Sequence, residues 1–271
     1  RRRDARRARR TVELPAQTPA AADEAGERWA AIAPILDDEL AALPETYRAA
    51  LVLHHLVGLS EDDAARTLGW KLGKPVFPGE PVTQFLADPH TGAWYVALRL
   101  GHFGVKLWKS SDGGAQWGEV APPAFPPKPT EGEWKDDATP WTVDMVWGLE
   151  ASGDTLWAGC LPAGLFKSTD GGASWQLVES LWKRKERTEW FGGGYDFAGI
   201  HSIAVDPRDS KHVTIAISCG GVWQTRDGGE TWANTSKGMV ADFMPPERKE
   251  DPNIQDVHRM AMCAAQPEVL W

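Results

Sequence analysis

A repeating chain brings chemistry-bearing side chains to matching places. Thr83, Asp144, His201 and His258 stand at the starts of equivalent strand segments in successive repeats. The triplets Gly101-His102-Phe103 and Cys219-Gly220-Gly221 stand in equivalent loops. WFGGGYD (190–196) brings Tyr195 and Asp196, and MPPERKEDPNIQD (244–256) brings Asp256. Paired carboxylates about 5–10 Å apart cleave glycosidic bonds, so Asp144, Asp196 and Asp256 are the candidate catalytic groups. His102, His201, His258, Arg259 and Tyr195 are the candidate ligand-binding groups, with hydrogen-bonding and stacking capacity. A metal site from the same histidines and carboxylates finds no support in HxH or HExxH spacing, so no metal and no cofactor is expected. The competing reading is that these side chains hydrogen-bond loop backbones, which long loops require. The Gly192-Gly193-Gly194 run either lets a backbone approach a ligand or acts as a loop hinge.

The elements that position these residues fall into two parts. The chain has 271 residues, enough for one large or two small domains. Of its 15 Trp, 13 lie after residue 70, against three Tyr in all. The net charge of −9 argues against a whole-surface nucleic-acid binder. No uninterrupted apolar run reaches about 18 residues, so no membrane span is expected. Cys160, Cys219 and Cys263 form no CxxC pair, which suits a reducing compartment, and a cytoplasmic location is expected. RRRDARRARR at the start, without Met, and EVLW at the end, within a strand pattern, read as the limits of a fragment.

After Trp70 the chain repeats. SSDGGAQW, STDGGASW and TRDGGETW centre on Asp112, Asp170 and Asp227, with spacings of 58 and 57 residues. The residues are Ser110, Asp112, Gly113, Gly114 and Trp117; Ser168, Asp170, Gly171, Gly172 and Trp175; Thr225, Asp227, Gly228, Gly229 and Trp232. Glycine supplies a positive φ, the carboxylate and hydroxyl satisfy turn amides, and the Trp is expected to plug the space between neighbouring sheets. The boxes are therefore read as structural. IHSIAV (200–205) aligns with VHRMAM (257–262), and EVLW aligns with TLWAG (155–159), giving three repeats and the first two strands of a fourth.

This pattern over 71–271 resembles the Asp-box (BNR) β-propellers, including bacterial sialidase-like proteins described as glycosyl hydrolases. The resemblance implies four-stranded blades, with the first strand lining a channel and the box joining the third and fourth at the rim. About three and a quarter blades are present, so the ring is incomplete and its open edge predicts aggregation or dimerisation. Sialidase chemistry needs an arginine triad and a Tyr–Glu pair. Arginine is sparse after residue 70 and Tyr95 sits in a strand pattern, so the resemblance carries the fold rather than the catalytic set.

Residues 1–26 read as a basic arm, Arg1–Arg10, and a linker. The arm is a solvated tail or a weak phosphate-contacting element. From 27 to 70 the pattern is helical: Ile32, Ile35, Leu36, Leu40 and Leu43 recur at helical steps up to Pro44. A second helix covers Glu45–Val57, with Tyr47, Leu51, Leu53, His54 and Leu56 on a buried side. A third is capped by Ser60 and Asp63 and ends at Gly69. LPETYR and GLSEDDAARTLG within 36–70 resemble region 4 of extracytoplasmic-function sigma factors. That family is expected to continue into a recognition helix, whereas KLGKPVFPGEPV cannot form one. The expected architecture is therefore multidomain: a small helical, partial helix-turn-helix segment followed by an incomplete β-propeller. The expected function is a ligand- or protein-binding propeller, taking a small molecule, glycan or protein at its loop face, fused to a sigma remnant. RNA polymerase is a partner only if the sigma half works. The alternatives are a transcription-initiation protein with a propeller sensor, and a glycoside hydrolase.

Overall fold

The computed structural model describes residues 40–41, 45–71, 73–263 and 266–270, with 46 and 47 as backbone only. The Arg arm, the linker and most of the first expected helix (Ile32, Ile35, Leu36, Leu43, Pro44) lie outside the described residues, as does the Tyr47 side chain. Two compact units divide the chain, Arg1–Pro75 and Val76–Trp271.

In the first unit, α1 (Glu45–Leu51) runs into a π-type turn at Val52–Leu56. The wider turn breaks the 3.6-residue period on which the buried face was drawn. Leu56, within this turn, consequently faces solvent at 63% exposure; Leu51, just before it, is also exposed at 39%, both in contrast to the sequence expectation. Gly58 turns the chain at φ 77°. Helix α2 (Glu61–Thr67) starts as its sequence dictates: Ser60 Oγ accepts from Asp63 N at 3.1 Å and donates to Asp63 Oδ2 at 2.8 Å. It ends with Trp70 N donating to Ala65 O and Gly69 N to Arg66 O, with Gly69 left-handed. Among the described residues no helix follows before the first strand.

The second unit is three antiparallel four-stranded meanders. The first is β1 (Val82–Ala87), β2 (Trp94–Arg99), β3 (Val105–Ser110) and β4 (Gly118–Val120). The second is β5 (Met145–Ser152), β6 (Thr155–Leu161), β7 (Leu165–Ser168) and β8 (Gln176–Leu177). The third is β9 (Ile200–Asp206), β10 (Asp209–Ile217), β11 (Gly221–Thr225) and β12 (Ala233–Asn234). The first strands are neighbours: Gln84 of β1 donates Nε2 to Trp147 O of β5 at 2.6 Å, and β5 lies against β9. Of the fourth repeat, the described residues hold one bridge, Met262 to Leu270.

Stacking explains the strand grammar. Leu156, Ala158 and Cys160 of β6 join Tyr95, Ala97 and Leu107 in one core, while Trp157 points the other way to Ile200, Ile215 and Trp223. A strand covered on both faces reads as a continuous apolar run rather than an alternation. A Cβ at Gly159 would come within 2.6 Å of Ile200 O, so only glycine lets β6 approach β9 this closely.

Each DGG box closes the turn between third and fourth strands. Asp170 Oδ1 accepts from Ser168 Oγ (2.7 Å) and Ser174 N (2.9 Å), and Ser168 Oγ accepts from Gly172 N (2.9 Å). The same bonds recur at Ser110–Asp112 and Thr225–Asp227. Both glycines of each box have positive φ. The second turn docks on the first sheet, with Tyr95 Oη and Lys109 Nζ donating to Gly171 O at 3.0 and 3.1 Å. The Trp plug holds fully only at Trp232, 6% exposed. Trp175 is half-buried and donates to Ala121 O. Trp117 is half-buried against Phe77, because no sheet of this unit precedes the first.

Candidate functional site

Consecutive residues of β5 (147–152) and β9 (201–205), with residues 258–262, bound an open cavity of about 920 Å³. Its wall holds Trp147, His201, His258 and Arg259. At one end the side chains form a connected row. Arg99, at the end of β2, grips Asp144 (Nη2–Oδ2 2.6 Å) and lies 5.8 Å from the Tyr195 ring centre. Trp147 meets Tyr195 edge-on at 5.3 Å and His201 at 5.6 Å. The register of β5 against β6 shifts at Trp147, between Val146 and Gly148, and such a bulge re-aims a side chain. Gly199 leaves room for its indole: a Cβ there would lie 2.5 Å from Trp147 Cε3.

His201 shares a 2.8 Å hydrogen bond between Nδ1 and Ser202 Oγ, and that hydroxyl accepts from Met260 N at 3.1 Å. Burial holds the imidazole below the ordinary histidine range, against the opposite pull of the Val257 backbone and the Asp256 charge. Asp256 staples the neighbouring turn. Its Oδ1 accepts from Cys219 N at 3.2 Å and Ser218 Oγ at 3.5 Å, and its Oδ2 lies 3.3 Å from His258 Nε2. Cys219 is held at φ 46°, and burial beside Asp256 pushes its thiol up to about 12. The Gly run reaches this staple: a Cβ at Gly193 would stand 3.1 Å from Asp256 Oδ2.

Asp144, Tyr195, His201, Asp256, His258 and Arg259 are thus drawn into one neighbourhood. Two expected members are placed elsewhere. His102 stacks on exposed Phe103 in a short helical turn at 101–103, off the cavity wall. Asp196 lines a separate cleft with Glu133 and Trp134. The wall residues not singled out from sequence include His90, Trp147, Glu150 and Arg208. For Trp147 and Glu150 the signal is the repeat register itself, since both belong to the first-strand segment of the second repeat. Burial raises the Glu150 carboxyl, partly offset by Ala151 N donating to Oε1 and by the charge of His90. Among the described residues no group of three or more His, Cys, Asp or Glu side chains is placed to hold a metal ion. No described helix is long and apolar enough to cross a membrane.

Residues 34–74 match the model of sigma-70, region 4. An 80-residue stretch, 29% of the chain, is 32% identical to the oligoxyloglucan-reducing end-specific xyloglucanase of Emericella nidulans, of which it covers 9%. Among solved structures, an ancestral GH74 enzyme aligns at 21% identity and TM-score 0.39, over 59% of this chain and 19% of that one. The GH74 xyloglucanase of Xanthomonas campestris aligns at 18% identity and TM-score 0.41, over 56% and 23%. YCF48 of Cyanidioschyzon merolae aligns at 15% and 0.39, over 61% and 40%. The chain thus spans less than half the length of each of these relatives. A segment that matches sigma-70 region 4 thus precedes a run of four-stranded sheets of β-propeller type.

Proposed function

We propose that the β unit is a ligand-binding propeller segment that takes an oligosaccharide along its concave face, and that its DGG turns are Asp-boxes with a structural role. The observation that carries this reading is the row Tyr195–Trp147–His201 leading into a 920 Å³ groove edged by His258 and Arg259. Aromatic faces pack on the apolar C–H faces of sugar rings, and imidazole and guanidinium groups bond their hydroxyls. The 32% identity to an oligoxyloglucan-acting enzyme over 80 residues supports a glycan as the ligand class. Asp144 and Asp256 are engaged by Arg99 and by the Cys219 turn, which suits positioning more than catalysis.

A second reading, glycoside hydrolase, has one observation in its favour. The half-buried Glu150 carboxyl on the groove wall is raised by partial burial, as a general acid requires. In both readings the helical unit is a sigma region 4 remnant, and among the described residues no helix follows its α2 before β1. Base readout is lost, while Arg1–Arg10 supplies at most weak phosphate contact. A propeller sensor on a working transcription-initiation protein would need RNA polymerase binding. The cytoplasm is the compartment that suits all three readings.

The test is calorimetric titration of the whole chain with xyloglucan oligosaccharides, with reducing-end release measured in parallel. Saturable binding without turnover, weakened by Trp147→Ala and Arg259→Ala, supports the binding module. Turnover abolished by Glu150→Gln selects the hydrolase. Absence of both overturns the glycan reading.

A further inference from the structure

A second recognition cleft stands apart from the concave groove. Residues 121–144 connect the first sheet to the second, and 178–199 connect the second to the third. Connections this long between successive strands are uncommon, and the second carries two short helical segments, Glu179–Trp182 and Lys185–Glu189. Here they are locked together. Arg187, from the second connection, places Nη2 2.6 Å from Asp137 Oδ2 of the first, and Nη1 3.0 Å from Thr139 Oγ1. Its guanidinium lies 4.0 Å from the Trp182 ring centre and 4.8 Å from that of Trp134. The ion pair is almost wholly enclosed, and Trp141 Nε1 and Thr139 N also donate to Asp137. The two connections therefore form preset walls.

Between them lies an open cleft of about 710 Å³. Trp134 stands on one wall and Phe191 and Phe197 on the other. Asp137 and Arg187 neutralise each other, so a ligand meets Glu133 and Asp136 from one connection and Asp196 from the other, against Lys185. Lys135, which is not part of the wall, stands 3.8 Å from Asp136. Carboxylates on both sides of aromatic faces suit a cation carried on an apolar stem: the stem packs on the rings and the charge meets the rim. A carboxylated ligand would be repelled, and a neutral sugar would leave the rim charge unanswered.

We propose that this cleft binds an extended peptide segment bearing lysine or arginine side chains. The volume accommodates several side chains, and the acidic groups on opposite walls set two points of attachment.

The probe is acetyl-tetralysine amide, titrated calorimetrically into the full chain at low salt. The variant Glu133→Gln/Asp196→Asn removes one charge from each wall. Glu230→Gln/Glu247→Gln makes the same change in net charge at exposed positions outside the cleft. Thermal melts check that both remain folded. The expected result is one-to-one binding, weakened at least about fivefold by the wall variant and unchanged in the control. Equal weakening in both variants would reduce the effect to overall charge and overturn the site. No binding by the parent chain, or full binding by the wall variant, would overturn it as well.

Discussion

Asp137 and Arg187 meet at 2.6 Å with side chains only 4% and 2% exposed, joining two connections whose sequence separation is 50 residues. Burial opposes the Asp137 charge, yet bonds from Arg187, Thr139 and Trp141 outweigh it and hold the carboxyl below its ordinary range. Removing one partner strands the other without water. Asp137→Ala is expected to cost about 3–5 kcal/mol, read in urea melts, whereas Asp137→Leu/Arg187→Met should recover much of that loss. Its folded pKa is the lower one, so the stabilisation is complete above the unfolded value near 4 and fades as pH falls below it. A double variant no more stable than Asp137→Ala would show that the pair is not what couples the connections.

The three boxes are similar but unequal. Asp170 and Asp227 each accept a second hydroxyl, from Ser174 and Thr231, where the first box has Gln116. Hydrogen bonds from Ser174 and Ser168 lower Asp170 to about 2, and those from Thr231 and Thr225 lower Asp227 further. These groups stabilise the fold above pH 4, and their contribution is lost on acidification through the folded values. Asp170→Asn and Asp227→Asn should therefore flatten the acid limb of a stability–pH curve more than Asp112→Asn. Trp232→Ala should cost about 3–5 kcal/mol, as core Trp truncations do, and half-buried Trp117 clearly less. Equal losses at the two tryptophans would mean that burial does not rank the boxes.

Much of this was legible in sequence because the boxes carry their own chemistry: DGG sets the turn, and Ser or Thr two residues earlier closes it. The same local logic set the ends of α2, from Ser60 to Gly69. Non-local placement was not legible. Asp196 and Asp256 both precede first-strand segments, yet Asp196 faces the Trp134 cleft while Asp256 is drawn to the Cys219 turn. Side-chain direction within an irregular connection depends on what the connection packs against, and a repeat period carries no record of that. The Arg187–Asp137 lock was hidden for the same reason, and Leu56 was misplaced because a π turn changes the period mid-helix.

Two thiols should be chemically silent. Burial pushes Cys219 up to about 12 and raises Cys160 beyond that, and only a thiolate reacts quickly. Iodoacetamide at pH 8 should leave both unmodified in the folded chain and label them in urea, as peptide mass mapping would show. Rapid native labelling of Cys219 would mean that the Asp256 staple opens readily.

The outward face of the first sheet predicts self-association. Phe77 closes on Trp108 and Trp117, but Val82 and Phe85 stay 51% and 52% exposed on β1, with Phe85 set edge-on against Trp94. Apolar groups on an uncovered sheet gain free energy by burying against another copy. Light scattering during size exclusion should show dimers or larger species at micromolar concentration. Val82→Lys/Phe85→Lys should return the chain to a monomer with little change in melting temperature, since neither side chain is in a core. A parent chain that runs as a monodisperse monomer would show that this face is already shielded in solution.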